Sequence, residues 1–138
     1  MLCGGVLAAG LIYSGSHVHA AADQPAALYS AAQATKGADL YQSKQCGLCH
    51  GASLAGQGSV PALTGDHFAT VYAGKPVATL FDKVQNQMPP MNPGSLSADE
   101  TASIVAYILS KNQYPAGSAD LPSDHDKLTA LQLPKSGN

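Results

Sequence analysis

Five consecutive residues, Cys46-Gly47-Leu48-Cys49-His50, constrain this chain more than any other feature. Two cysteines three positions apart, with a histidine directly after the second, form the attachment signature of c-type haem. The spacing has a physical reason. Each thiol can add to one of the two vinyl groups along one porphyrin edge, and the next residue is then delivered beneath the iron as an axial ligand. The other ring nitrogen of that histidine needs an acceptor to fix its orientation. A backbone carbonyl of the glycine-rich stretch that follows would serve. Three other readings compete. As half of a zinc site, the cysteines lack a second Cys or His pair at ligand spacing. As a thioredoxin-type redox pair, they lack a βαβ setting. A plain disulfide is open to an exported chain. The trailing His50, together with an export signal, favours haem.

The composition suits a chain built around a bulky group that it does not itself encode. Its 138 residues allow one domain. Hydrophobic residues make up 45% but aromatics only 6%, with no Trp, while 23 Ala and 14 Gly supply small side chains. Seven Lys, no Arg, eight Asp and one Glu leave a formal net charge of -2. That balance offers no basic face for phosphate and argues against nucleic-acid binding. No apolar run is long enough to cross a bilayer.

The segment from Leu2 to Tyr13 is apolar and uncharged, with the length of a secretory apolar region. Small residues follow in Val18-His19-Ala20-Ala21-Ala22, which predicts cleavage after Ala20 or Ala22 and export to the periplasm. No Lys or Arg precedes the apolar stretch. Cys3, His17 and His19 lie in this leader and leave with it.

The mature chain reads as all-α with long loops. Residues 23–34 are Ala-rich and read as an N-terminal arm. Residues 35–46 read as a helix, with Leu40 and Tyr41 on its buried side and Lys44 near its C-terminal end, where the dipole favours a cation. Residues 47–65 hold five glycines and Pro61 and read as loop. Short helices are expected from Asp66 to Tyr72 and from about Pro76 to Gln87, with proline in the first turn. Pro89 to Gly94 must be an extended loop. Ser97 and Glu100 then form a capping box. Ile104, Val105, Ile108 and Leu109 make one apolar stripe behind it. Lys111 falls in the last turn, and Pro115-Ala116-Gly117 ends the helix. Residues 118–138 are polar, with Asp120, Asp124 and Asp126 close together, and read as a tail extended over the surface.

A second axial ligand is expected downstream of the motif. Met88 and Met91 are the candidates, because thioether sulfur binds haem iron opposite His in electron-transfer cytochromes. Methionine is ordinarily core filler, yet both of these stand in a proline-braced loop. His67 and His125 are weaker candidates, since a surface histidine is the ordinary case.

The segments CGLCHG, VPALTG, MPPMNPGSLS and IVAYILSKN together resemble a bacterial class I cytochrome c over about residues 35–117. The resemblance implies a cytochrome c fold, three to five helices wrapped around one covalently bound haem. In that family a glycine and, four residues on, an aromatic lie on the first helix and pack on an aromatic of the last. Gly37, Tyr41 and Tyr107 stand in those places. The loop pattern M-P-x-x-x-P-G-S-L-S is common in monohaem domains that serve periplasmic dehydrogenases. Met88-Pro89 through Pro93-Gly94-Ser95-Leu96-Ser97 fits it, which makes Met88 the ligand and Met91 a loop residue. The resemblance also makes the Pro61 carbonyl the acceptor for His50. The Trp and Arg that such domains often carry are absent, and Tyr72 and Lys75 stand in as candidate partners of the haem propionates.

The organisation expected is therefore a signal peptide over residues 1–22, an arm over 23–34, a cytochrome c domain over 35–117 and a polar tail over 118–138. With iron bound by His50 and Met88, the resemblance implies a one-electron carrier and no enzyme of its own. Its donor would be a periplasmic dehydrogenase and its acceptor an oxidase or another cytochrome. The segment PAGSADLP resembles the extension in cytochrome subunits of quinoprotein alcohol dehydrogenases, so the donor could hold this chain as a fixed subunit. A haem peroxidase or a gas-binding sensor is the rival, and would need an open sixth position.

Overall fold

The computed structural model describes Met1 and residues 27–135. Apart from Met1, the expected leader and its cleavage positions lie outside the described residues. In chain order these form β1 (Tyr29–Ser30), α1 (Ala31–Ser43), α2 (Gly47–His50), α3 (Gly65–Tyr72), α4 (Val77–Gln87), α5 (Ala98–Lys111), β2 (Ala116–Gly117) and α6 (His125–Ala130). The architecture is helical, as expected. Among the described residues six helices stand where three to five are expected, because α2 is a single turn inside the stretch read as loop and α6 lies in the stretch read as tail.

The frame is the crossing of α1 and α5. The start of α5 is fixed by its capping box: Ser97 Oγ accepts from the Glu100 N–H at 3.2 Å, and a Glu100 carboxylate oxygen accepts from the Ser97 N–H at 2.9 Å. Such a cap stabilises by about 1 kcal/mol. Ile104, Val105, Ile108 and Leu109 are all buried, as their spacing requires. The helices approach closely at Gly37, where a Cβ would stand 1.8 Å from the Ser103 carbonyl oxygen and 2.9 Å from Tyr107 Cβ. One turn on, the rings of Tyr41 and Tyr107 meet with centroids 5.4 Å apart and a tilt of 59°. Lys44, the C-cap of α1, reaches Glu100 at 2.8 Å. The hydrogen bond from Lys44 holds the Glu100 carboxyl below its ordinary range.

Two segments depart from expectation. Helix α1 begins at Ala31, four residues before the predicted start, capped by Ser30, whose Oγ accepts from the Gln33 N–H at 3.0 Å. The run Ala31, Ala32, Ala34 has the best intrinsic helix propensity, so the helix extends into the presumed arm. Leu40, expected on the buried side, is only partly covered, whereas Tyr41 is buried. Leu28 and Tyr29 are also buried, and β1 pairs in parallel with β2, with Tyr29 opposite Ala116.

The segment after 117 reads from the sequence as a polar tail extended over the surface; as far as residue 135 it is anchored to the core instead. Leu121, Leu128 and Leu133 are buried. The Gln33 side chain receives the Leu121 N–H at 2.7 Å and donates to its carbonyl at 2.9 Å. Further on, the chain hydrogen-bonds to the turn before α4, through Val77 N–H to the Leu131 carbonyl at 2.8 Å and Leu133 N–H to the Lys75 carbonyl at 2.9 Å. Leu128→Ala should therefore cost about 2–5 kcal/mol, read as a fall in the denaturation midpoint. A loss within about 0.5 kcal/mol, the ordinary surface value, would mean that α6 is not anchored.

Candidate haem site

The site begins where α1 ends. The Cys46 N–H donates to the Tyr41 carbonyl at 3.0 Å, and the chain then coils into the single turn of α2 with His50 N–H donating to the Cys46 carbonyl at 3.0 Å. The Tyr41 hydroxyl donates to the Gly51 carbonyl at 2.8 Å and pins the far end of that turn. Burial is the main reason its pKa is pushed up to about 12, with Cys46 and Tyr107 adding to it. Both thiols are free. Cys46 is half-buried and Cys49 exposed. Burial raises the Cys46 pKa, the opposite of what a redox-exchange cysteine needs.

The loop after α2 folds back on His50. The Gly56 N–H donates to the His50 carbonyl at 2.9 Å, and Gln57 and Val60 then pair with each other through two backbone bonds. Gly56 lies at φ 76, and a Cβ there would stand 2.4 Å from the Val60 carbonyl oxygen. Only glycine fits both demands. The fold-back sets the Pro61 carbonyl 3.2 Å from His50 Nδ1. With Nδ1–H donating there, the imidazole keeps its lone pair on Nε2, the tautomer a metal ligand needs.

The far end of the loop is tied to α5. The Asn112 side chain donates to the Leu63 carbonyl at 2.9 Å and accepts from the Gly65 N–H at 3.2 Å. Nothing in the sequence singled Asn112 out beyond its place just past the last helical turn.

Met88 is half-buried and caps the C-terminus of α4, its N–H bonded to the Val84 carbonyl at 3.2 Å. The loop it opens is a run of turns that ends at Leu96. Gln85 holds that end: its amide donates to the Leu96 carbonyl at 2.6 Å, and its oxygen accepts from the Thr101 hydroxyl at 2.7 Å. Sequence reasoning missed Gln85, because no local pattern marks it. Met91 is 96% exposed.

Of the remaining candidates, Tyr72 is half-buried with its ring 5.0 Å from Phe68, and burial raises its hydroxyl pKa. Lys75 is exposed. No side-chain hydrogen bond of either is present among the described residues. His67 is exposed, and His125 pairs with Asp82 at 3.1 Å. Among the described residues, no three His, Cys, Asp or Glu side chains gather as a metal cluster, so the cysteines have no partners for a zinc site. Among the described residues the only strand pairing besides isolated bridges is two residues long, so no thioredoxin-type setting is built among them either. A cavity of about 460 Å³ opens between α1, α5 and residues 120–123 and shares no residue with this site. The donor set suits a haem: two free thiols three positions apart, a neighbouring imidazole oriented by a carbonyl, and a thioether in a braced loop.

The fold and this set of side chains define a class I c-type cytochrome, a haem-binding electron-transfer protein. The chain belongs to the family described as cytochrome C oxidase, cbb3-type, subunit III, whose model matches residues 32–108. Among solved structures it is similar to the sulfane dehydrogenase SoxCD from Paracoccus pantotrophus, with 26% identity and a TM-score of 0.53. That match covers 73% of this chain and 53% of the other, so the chain spans about half the length of that relative. Comparison with the curated proteins finds no match.

Proposed function

We propose that this chain is a periplasmic one-electron carrier, with a single haem held covalently by Cys46 and Cys49 and ligated by His50 and Met88. The observation that carries the reading is the turn of α2, with two free thiols and a histidine whose Nδ1 lies 3.2 Å from the Pro61 carbonyl. Bound haem supplies one-electron Fe(III)/Fe(II) exchange, and thioether ligation favours the reduced state. Pro61 fixes the ring of His50, which strengthens the imidazole as a ligand. The Met88 thioether would supply the second ligand, so that the chain's own residues would leave no position for peroxide or a gas. Tyr72 and Lys75 are the partners proposed for the propionates.

Electrons would come from a periplasmic dehydrogenase, such as a quinoprotein alcohol dehydrogenase, and pass to an oxidase or another cytochrome. The likeness to a chain of a sulfane dehydrogenase supports a second reading, in which this chain is a fixed cytochrome subunit. A dehydrogenase that elutes with it at constant stoichiometry would favour that reading. The test of haem and export together is the intact mass of the periplasmic protein after acid-organic extraction. It should equal the chain from Ala21 or Asp23 onward plus one haem. Haem that extracts freely would overturn covalent attachment, and a mass that retains residues 1–20 would overturn export by cleavage.

A further inference from the structure

Two stretches around the proposed site carry no Lys, Arg, Asp or Glu. After Lys44 the next such residue is Asp66, and after Lys83 it is Asp99, so residues 45–65 and 84–98 hold none. At the chain's own 12% of charged residues, stretches of this combined length would hold about four. The first contains the thiols and His50, the second Met88. Of the charges beside them, Lys44 is paired with Glu100 at 2.8 Å. That ion pair also brings the start of the first stretch next to the end of the second. Exposure supplies an independent observation. Among the described residues other than Met1, the exposed large hydrophobics are Leu48, at 72%, and Met91, at 96%. One lies in each uncharged stretch.

We propose that these stretches form the electron-exchange face, with Leu48 and Met91 as its apolar anchors, and that the face docks a protein redox partner whose own surface is uncharged and apolar. The inference rests on the carrier reading above, because a haem held by Cys46, Cys49, His50 and Met88 is what sets both stretches around one edge. With no charged side chain in either stretch, local steering is weak, so the encounter depends on diffusion and brief apolar contact. Salt has little to screen. Weak redox encounters of this kind sit at the small end of interface size.

A second copy of the mature holoprotein is a suitable probe, because two copies present the same face to each other. Electron self-exchange between oxidised and reduced protein, read from NMR line broadening, should change by less than about threefold between about 10 mM and about 500 mM salt. Met91→Asp sets like charges face to face, and should slow self-exchange about tenfold at low salt and recover at high salt. Leu48→Asp should do the same; if it impairs haem attachment, Met91→Asp alone decides. A second readout involves no electron transfer. Cationic and anionic paramagnetic cosolutes should relax the amides of 45–61 and 88–97 equally, and the cation should dominate around Asp120, Asp124 and Asp126. Steep salt dependence, unequal relaxation over the two stretches, or a wild-type rate in Met91→Asp would overturn the docking face, while reversible redox cycling would leave the carrier reading standing. A protein without haem, or one that does not cycle, would overturn both.

Discussion

Gly37→Ala should destabilise the haem-bound protein by about 3 kcal/mol or more, the upper end of the usual cost of overpacking. The added methyl carbon would lie 1.8 Å from the Ser103 carbonyl oxygen, 2.6 Å from its carbon and 2.9 Å from Tyr107 Cβ. The first two are backbone of α5 and the third is the root of a side chain, so none can rotate away. The helices would have to part. Parting them loosens the Tyr41–Tyr107 contact at 5.4 Å, a pair worth about 0.5–1.5 kcal/mol beyond its buried area. It also stretches the ion pair between Lys44 and Glu100. Because Cys46 follows Lys44 by two residues, the attachment turn would shift with α1. Gly37→Val should be worse. Guanidinium unfolding should show a lower midpoint with little change in slope. An unchanged midpoint in either variant would mean that α1 and α5 do not cross at Gly37.

What could be read in the sequence was local. Ser97 and Glu100 are three residues apart, and the stripe at 104, 105, 108 and 109 needs only helical spacing, so α5 is visible without the rest of the fold. Cys46, Cys49 and His50 carry their geometry in their spacing. The segments that were missed depend on distant partners. Tyr29 is buried because its hydroxyl donates to the Tyr114 carbonyl, 85 residues away. Leu121 is held by Gln33, 88 residues back. In the last stretch the aspartates are conspicuous, while Leu121, Leu128 and Leu133 are too sparse to outline a helix or strand face, so nothing local marks them as core. The site divides in the same way. The Pro61 carbonyl was expected beside His50 only through the family resemblance. Asn112 and Gln85 each brace a loop by bonding a backbone carbonyl, a role that no side-chain pattern announces.

Met88→Ala carries the largest expected effect on function. Met88 is half-buried at the end of α4, and its loop is anchored by Gln85 to Leu96 and Thr101. Met91 sits three residues on, inside a turn where the Asn92 N–H donates to the Pro89 carbonyl at 2.9 Å, with its side chain 96% exposed. A thioether is a weak ligand that must be held in place, and of the two side chains only that of Met88 is half-buried. Met88→Ala should lower the potential and admit added ligands at the sixth position, whereas Met91→Ala should leave both nearly unchanged. The measurement that bears most directly on the account is the near-infrared spectrum of the oxidised wild-type protein. It should show the weak charge-transfer band of a sulfur–iron bond, present in Met91→Ala and gone in Met88→Ala. A wild type that lacks the band and readily binds carbon monoxide or peroxide would contradict the carrier and leave a haem enzyme or gas sensor in its place.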